Sequence, residues 1–118
     1  MIKKSSLGKV VAGVAVLAMT SLISPISAIA NDIKPAVIFD MGGKFDKSFN
    51  EGVWEGVKKF TEETGIEVME FEVTNETQRE QAMRRMVERG ATIVLGVGFA
   101  QADAISKVSA ENPDTLFS

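Results

Sequence analysis

The spacing of hydrophobic and polar positions changes several times along this chain of 118 residues. Short apolar runs typical of buried strands occur at 36–39, 66–73, 91–95 and 115–118, the last being the opening of a fourth strand. The second run carries three glutamates, so it is expected near a sheet edge. Between the runs, apolar residues recur every three or four positions, as on one helix face. The pattern predicts an α/β fold of order βαβαβαβ, a parallel sheet with helices on both faces.

The predicted helices have recognisable starts and apolar stripes. The first is expected to begin near Ser48, which forms a capping-box pattern with Glu51, and to end at Gly65. Thr74 or Asn75 is expected to cap the second. Residues expected on the buried faces are, helix by helix, Phe49, Val53, Val57 and Phe60; Ala82, Met83, Met86 and Val87; and Ala104, Ile105, Val108 and Ala110.

Residues 1–30 have the features of a secretory signal peptide. A start with three lysines is followed by an apolar stretch at 10–19, and Pro25 precedes the small-x-small sequence Ala28-Ile29-Ala30. The apolar stretch is shorter than the ~20 residues that cross a bilayer, which favours a signal peptide over the alternative, a single membrane anchor. We predict cleavage after Ala30, which leaves residues 31–118 as a periplasmic protein.

Composition argues against several classes of function. The chain has no cysteine and no histidine, which excludes disulfides, thiolate metal ligands, imidazole catalysis and a lipid-anchored cysteine at the mature N-terminus. The net charge of −3 becomes −6 when the three lysines of the signal peptide are removed, and no basic run remains. Nucleic acid is therefore not an expected partner. No catalytic residue, metal ion or cofactor is predicted.

The loop between the first strand and the first helix contains the best candidates for ligand binding. In open parallel sheets, ligands bind beyond the carboxyl ends of the strands. This loop offers the carboxylate of Asp40, the ring of Phe49 and the amide of Asn50, a set that suits a polar, ring-bearing small molecule. Other candidates on the same loop are Met41, Gly42 and Ser48.

Each of the three main candidates has a purely structural alternative. Asp40 could hold the turn by accepting a hydrogen bond from the N–H of Gly42 or Gly43. Phe49 could be the first residue of the apolar stripe, and Asn50 could be solvated in the first helical turn. The three together, at the ligand-binding edge of the sheet, favour a site.

Other functions fit the same positions less well. Two glycine pairs, Gly42 with Gly43 and Gly96 with Gly98, follow strands as in a dinucleotide fingerprint. Neither completes the pattern, since Gln101 stands where the last glycine or alanine of the second should be. Asp40 also matches the position of the phosphoacceptor in receiver domains, against which the secretion signal argues. A hydrolase using Asp40 and Asp46 would lack an activated nucleophile.

The same loop resembles one protein family. It is similar to the basic membrane protein family of ABC-transporter substrate-binding proteins, which includes purine nucleoside receptors. The residues that carry the resemblance are Asp40, Gly42-Gly43, Asp46-Lys47-Ser48-Phe49-Asn50, Trp54-Glu55-Gly56, Gly96-Val97-Gly98-Phe99, Asp103-Ala104-Ile105 and Asn112-Pro113-Asp114.

The resemblance implies a type I periplasmic-binding fold of two α/β lobes. This chain would be truncated and form only the N-terminal lobe, with the second lobe lying beyond Ser118. In nucleoside-binding members, the aromatic residue matching Phe49 stacks on the base, and the residues matching Asp40 and Asn50 make polar contacts to the ligand. Phe99, with the glycine before it, would form the neighbouring loop of the cleft.

We therefore expect the substrate-binding component of an ABC importer, and not an enzyme. Its expected ligand is a small polar solute, in particular a purine nucleoside. Its expected partner is a permease in the inner membrane, and the full-length protein is expected to be monomeric. The alternative is a secreted sensing subunit that presents its ligand to a membrane receptor.

Overall fold

A computed structural model describes Gly13 and residues 32–118 of the chain, so the predicted signal peptide, Gly13 apart, and its cleavage site lie outside the described residues. Within 32–118, strands and helices alternate as predicted. They are β1 (Pro35–Phe39), α1 (Phe49–Thr64), β2 (Met69–Glu72), α2 (Gln78–Glu88), β3 (Ile93–Gly96), α3 (Ala102–Glu111) and β4 (Leu116–Phe117), with a 3₁₀ turn at Phe99–Gln101 before α3. The order βαβαβαβ is confirmed.

The strands form one parallel sheet in the order β2-β1-β3-β4. In the register, Phe39 of β1 pairs with Glu72 of β2, and Ile38 pairs with Gly96 of β3. The charged second strand therefore lies at an edge, as predicted. After β1, the chain adds β2 on one side of it and then adds β3 on the other side. The carboxyl ends of β1 and β3 therefore flank a topological switch point.

The core has two layers, one on each face of β1. Ala36 and Ile38 pack with buried residues of α2 and α3, whereas Val37 and Phe39 pack on the α1 side. Right-handed crossovers explain this arrangement, since α1 connects strands in one direction and α2 and α3 connect them in the other. The predicted helices on both faces are therefore confirmed. Trp54 of α1 packs against the second layer.

The buried faces of the helices differ from the prediction at three positions. Phe49 and Phe60 are 77% and 36% exposed, and Ala110 is exposed as well. Phe49 is the first residue of α1, and helical side chains lean towards the N-terminus, which directs its ring away from the core. The other predicted positions are buried or partly buried against the two core layers.

The second helix begins later than predicted. Its N-cap is Thr77, and neither Thr74 nor Asn75 takes that place. Asn75 Oδ1 instead accepts hydrogen bonds from the N–H and the hydroxyl of Thr77, at 3.1 and 2.6 Å. These bonds form a local turn before the first helical residue, since asparagine side chains readily accept from the backbone N–H two residues on. No helix among the described residues combines the length and the hydropathy needed to cross a bilayer.

Candidate ligand-binding site

The carboxyl ends of β1 and β3 are joined closely at the switch point. The N–H of Val97 donates to the carbonyl of Ile38 at 2.9 Å, which extends the pairing beyond the last residue of β3. The chain then turns at Gly98, whose φ of +95° is unfavourable for residues with a side chain. A β-carbon on Gly98 would lie 3.4 Å from Oδ2 of Asp40. The backbone conformation therefore favours glycine at this position, and the loop after β3 lies beside the carboxylate that follows β1.

Asn50 holds the backbone of Asp40 in place. Its Oδ1 accepts from the N–H of Asp40 and its Nδ2 donates to the carbonyl of Asp40, both at 3.1 Å. Asn50 is only 3% exposed, so the alternative of a solvated side chain is wrong. Because both polar atoms of the amide bond the backbone, Asn50 ties the end of β1 to the first turn of α1.

The side chain of Asp40 forms an ion pair with Arg79, the second residue of α2. Arg79 donates from Nε and Nη2 to the same oxygen, Oδ1, at 3.2 and 2.9 Å. The side chain of Asp40 is 20% exposed and that of Arg79 is 11% exposed. The turn after β1 is instead closed by the N–H of Gly43, which donates to the backbone carbonyl of Asp40 at 3.2 Å. Asp40 therefore does not hold the turn through its carboxylate, as the structural alternative proposed.

The two candidate aromatic residues lie on one open groove of about 470 Å³. Phe49 and Phe99 are 77% and 97% exposed, so Phe49 is not the first core residue of its helix. Besides these rings, the groove is lined by Val53, Leu95, Gly96, Val97, Gly98, Ala102, Ile105 and Ser118. The lining is apolar and lies at the carboxyl end of β3, an arrangement that can accept the face of a flat ring.

The remaining loop candidates lie outside this groove. Met41 is 46% exposed, and Gly42 occupies the turn with a φ of +107°. Ser48 is exposed and immediately precedes α1. The structure thus brings Asp40 together with Asn50 and Gly98, and Phe49 together with Phe99, and it leaves Met41, Gly42 and Ser48 on the loop surface.

The first turn of α1 is capped by Asp46, and the predicted capping box is wrong. The hydroxyl of Ser48 makes no capping hydrogen bond. The carboxylate of Asp46 accepts instead from the backbone N–H groups of Ser48, Glu51 and Asn50, at 2.8, 3.1 and 3.3 Å. Desolvation acts to raise the pKa of Asp46, but these hydrogen bonds outweigh it and hold the pKa below its ordinary value.

This cap makes the stability of the loop depend on pH. Because the folded-state pKa of Asp46 is lowered, its contribution is present above the unfolded pKa of about 3.9 and is lost as the pH falls through the folded value. We expect Asp46→Asn to be less stable than the unaltered protein at pH 7, with the difference shrinking below about pH 4. Urea unfolding of both proteins from pH 7 to pH 3 measures this.

Ser48→Ala is the matched control for Asp46→Asn. Since the Ser48 hydroxyl caps nothing, this change should shift the free energy of unfolding by less than about 0.5 kcal/mol across the same pH range. A larger loss in Ser48→Ala than in Asp46→Asn would show that the cap has been assigned to the wrong residue.

Arg79 is the residue of this site that the sequence analysis missed. Its partner lies 39 positions away in the sequence, so no local pattern connects them. One feature of the sequence could have indicated this ion pair: Arg79 is a cation in the first turn of a helix, where the helix dipole disfavours positive charge. Such a residue is expected to have a nearby anionic partner.

The described residues that suggested dinucleotide binding, a receiver domain or a hydrolase take part in structural contacts. The carboxylates of Asp40 and Asp46 are each engaged, one by Arg79 and one by backbone N–H groups. Gln101, at the position of the missing dinucleotide glycine, is fully buried and donates to the carbonyl of Ile38 at 3.3 Å. In residues 32–118, no group of three or more acidic residues is placed to hold a metal ion.

The parallel sheet with its topological switch point forms a lobe of the α/β class, and solved structures agree. The chain superposes on an ABC transporter system solute-binding protein from Conexibacter woesei DSM 14684 with a TM-score of 0.63 and 29% identity, covering 72% of this chain and 28% of that one. For a solute-binding protein of Aeropyrum pernix K1 the TM-score is 0.66 and the identity 27%, covering 72% and 23%. The predicted fold class, one lobe of a periplasmic-binding fold, is confirmed.

Residues 33–118 match the family described as ABC transporter substrate-binding protein PnrA-like (Bmp), and the chain belongs to this family. The predicted resemblance is therefore confirmed. The members are substrate-binding proteins of ABC transporters, and this is not a family of enzymes.

Three curated relatives show how far the similarity extends. The chain is 26% identical over 93 residues to the "ABC transporter nucleoside-binding protein BmpA" of Lactococcus lactis subsp. cremoris, covering 75% of this chain and 26% of that protein. It is 29% identical over 93 residues to the "CD4+ T-cell-stimulating antigen" of Listeria monocytogenes, with the same coverage. It is 25% identical over 89 residues to an uncharacterised lipoprotein of Pyrococcus abyssi, covering 75% and 22%. The chain spans about a quarter of the length of these relatives.

Proposed function

We propose that residues 32–118 form one wall of the binding cleft of an ABC importer's substrate-binding protein, and that its solute is a purine nucleoside. The observation that carries this proposal is the position of Phe49. Its ring is 77% exposed at the ligand-binding edge of the sheet. Leaving a phenylalanine in water forgoes about 1.5–3 kcal/mol of burial. A base stacked on the ring would recover much of that stabilisation.

The polar groups at the same edge suit the rest of a nucleoside. A carboxylate accepts hydrogen bonds from ring N–H groups or ribose hydroxyls, and Asp40 supplies one beside the loop after β3. Phe99 offers a second exposed ring on the same groove. The name of the Lactococcus lactis relative, a nucleoside-binding protein, supports the same class of ligand.

Calorimetric titration tests the ligand class. The full natural chain that contains residues 32–118 is titrated with adenosine, guanosine and inosine, with the free bases, and with ribose. We expect saturable binding of at least one nucleoside and none of ribose alone, because ribose lacks the ring that Phe49 would stack on. Binding of ribose or of another non-aromatic solute, with no heat from any nucleoside, would contradict the proposal.

The proposal includes export to the periplasm and delivery of the solute to an inner-membrane permease. We expect the mature protein to begin at Asn31, to lack residues 1–30 and to carry no lipid, since Asn31 offers no thiol for acylation. N-terminal sequencing and intact mass measurement of the protein from a periplasmic extract check this. An uncleaved N-terminus, or a mass increased by acyl chains, would contradict it.

A further inference from the structure

The ion pair between Arg79 and Asp40 is asymmetric. Arginine commonly pairs with a carboxylate through two parallel hydrogen bonds, one to each oxygen. Here Nε and Nη2 both donate to Oδ1, at 3.2 and 2.9 Å. Among the described residues, none donates a hydrogen bond to Oδ2. That oxygen lies towards Gly98, where an added β-carbon would be 3.4 Å away.

Asp40 is also held from both faces of the sheet. Asn50 of α1 fixes its backbone, and Arg79 of α2 fixes its carboxylate. Arg79 is 11% exposed and lies in the first turn of α2, where the helix dipole disfavours a cation. The pair with Asp40 compensates this unfavourable position. The carboxylate therefore has little freedom to rotate and to exchange its two oxygens.

We propose that Arg79 is a positioning residue that sets the specificity of the site. It occupies Oδ1 and leaves Oδ2 as a single, oriented acceptor, so that the ligand must present one N–H or O–H donor at this point. This inference rests on the proposed function, since it concerns the same site. A free carboxylate could rotate and accept donors at either oxygen, and it would therefore distinguish ligands less well.

Nucleoside analogues that each lack one donor test this inference. The full natural chain is titrated with inosine and with four analogues: 1-methylinosine, which lacks the ring N1–H, and 2′-, 3′- and 5′-deoxyinosine, which each lack one hydroxyl. For the unaltered protein, one analogue should bind at least about tenfold more weakly than inosine, the effect of losing one hydrogen bond to a charged group.

Arg79→Met should weaken inosine binding and reduce that discrimination to below about threefold, because the acceptor is no longer oriented. Arg79→Lys should restore part of the discrimination, since an ammonium group keeps the charge but not the paired donors. Arg85→Met is the matched control: Arg85 is an exposed arginine of the same helix, and its removal should leave both quantities unchanged. Arg79→Gln is made in parallel, so that a folded neutral variant is available if Arg79→Met does not fold.

The outcomes separate this inference from the proposed function. Unchanged discrimination in a folded Arg79→Met or Arg79→Gln variant overturns the positioning role while leaving nucleoside binding intact. Equal affinity of the unaltered protein for inosine and all four analogues also overturns it. No binding of any nucleoside by the unaltered protein overturns both the inference and the proposed function.

Discussion

Replacing Asn50 with alanine is expected to lower the free energy of unfolding by about 1–3 kcal/mol, the cost of leaving one buried polar group, the N–H of Asp40, without a partner. The change removes the acceptor for the N–H of Asp40 and one of the two donors to its carbonyl, which still accepts from the N–H of Gly43. Asn50 is 3% exposed, so water cannot readily replace the amide without opening the start of α1. Urea unfolding of the full natural chain and of the variant measures the loss.

Asn75→Ala is the comparison for this experiment. Asn75 also bonds the chain just before a helix, but it is exposed, so its partners regain water and the loss should be about 1 kcal/mol or less. A loss in Asn50→Ala no greater than that in Asn75→Ala would contradict the role of Asn50 as the residue that fixes Asp40.

Replacing Phe49 with alanine should weaken nucleoside binding by about 1–3 kcal/mol, or roughly 5- to 150-fold, the range found for aromatic side chains that stack on bases. Stability should change by less than about 0.5 kcal/mol, because the ring is 77% exposed and outside both core layers. Calorimetric titration with inosine, together with urea unfolding of the same preparation, measures both quantities.

Phe60→Ala provides the opposite pattern. Phe60 lies on the same helix but is only 36% exposed, and it lines a separate apolar groove with Val57 and Ile93. Its loss should reduce stability and leave the affinity for inosine unchanged. Equal affinities for Phe49→Ala and the unaltered protein would exclude stacking on Phe49.

The fold could be predicted from local signals. β1 carries a continuous apolar run because it is buried on both faces, and such runs between helical stripes indicate a parallel sheet. Gly65 ends α1 in a left-handed conformation, as its place after the stripe predicted. The glutamates of β2 indicated an edge strand correctly.

Parts of the site depend on contacts that local patterns do not contain. Asp46 and Ser48 are both good capping residues two positions apart, and only the geometry of the loop decides that the carboxylate reaches the first turn. Arg79 contacts Asp40 because β2, which precedes α2, lies beside β1 in the sheet. The two residues are 39 positions apart in the sequence, so only the strand order brings them together. The exposure of Phe49 likewise depends on where α1 begins relative to the sheet.

We propose that the ligand binds at the edge formed by Asp40, Phe49 and Gly98. A crystal structure of the full natural chain with bound inosine tests it most directly. We predict the purine ring stacked on Phe49 at about 3.5–4 Å, the contact distance of carbon atoms, with a ligand donor on Oδ2 of Asp40. Inosine bound elsewhere, with Phe49 still facing solvent, would contradict the claim.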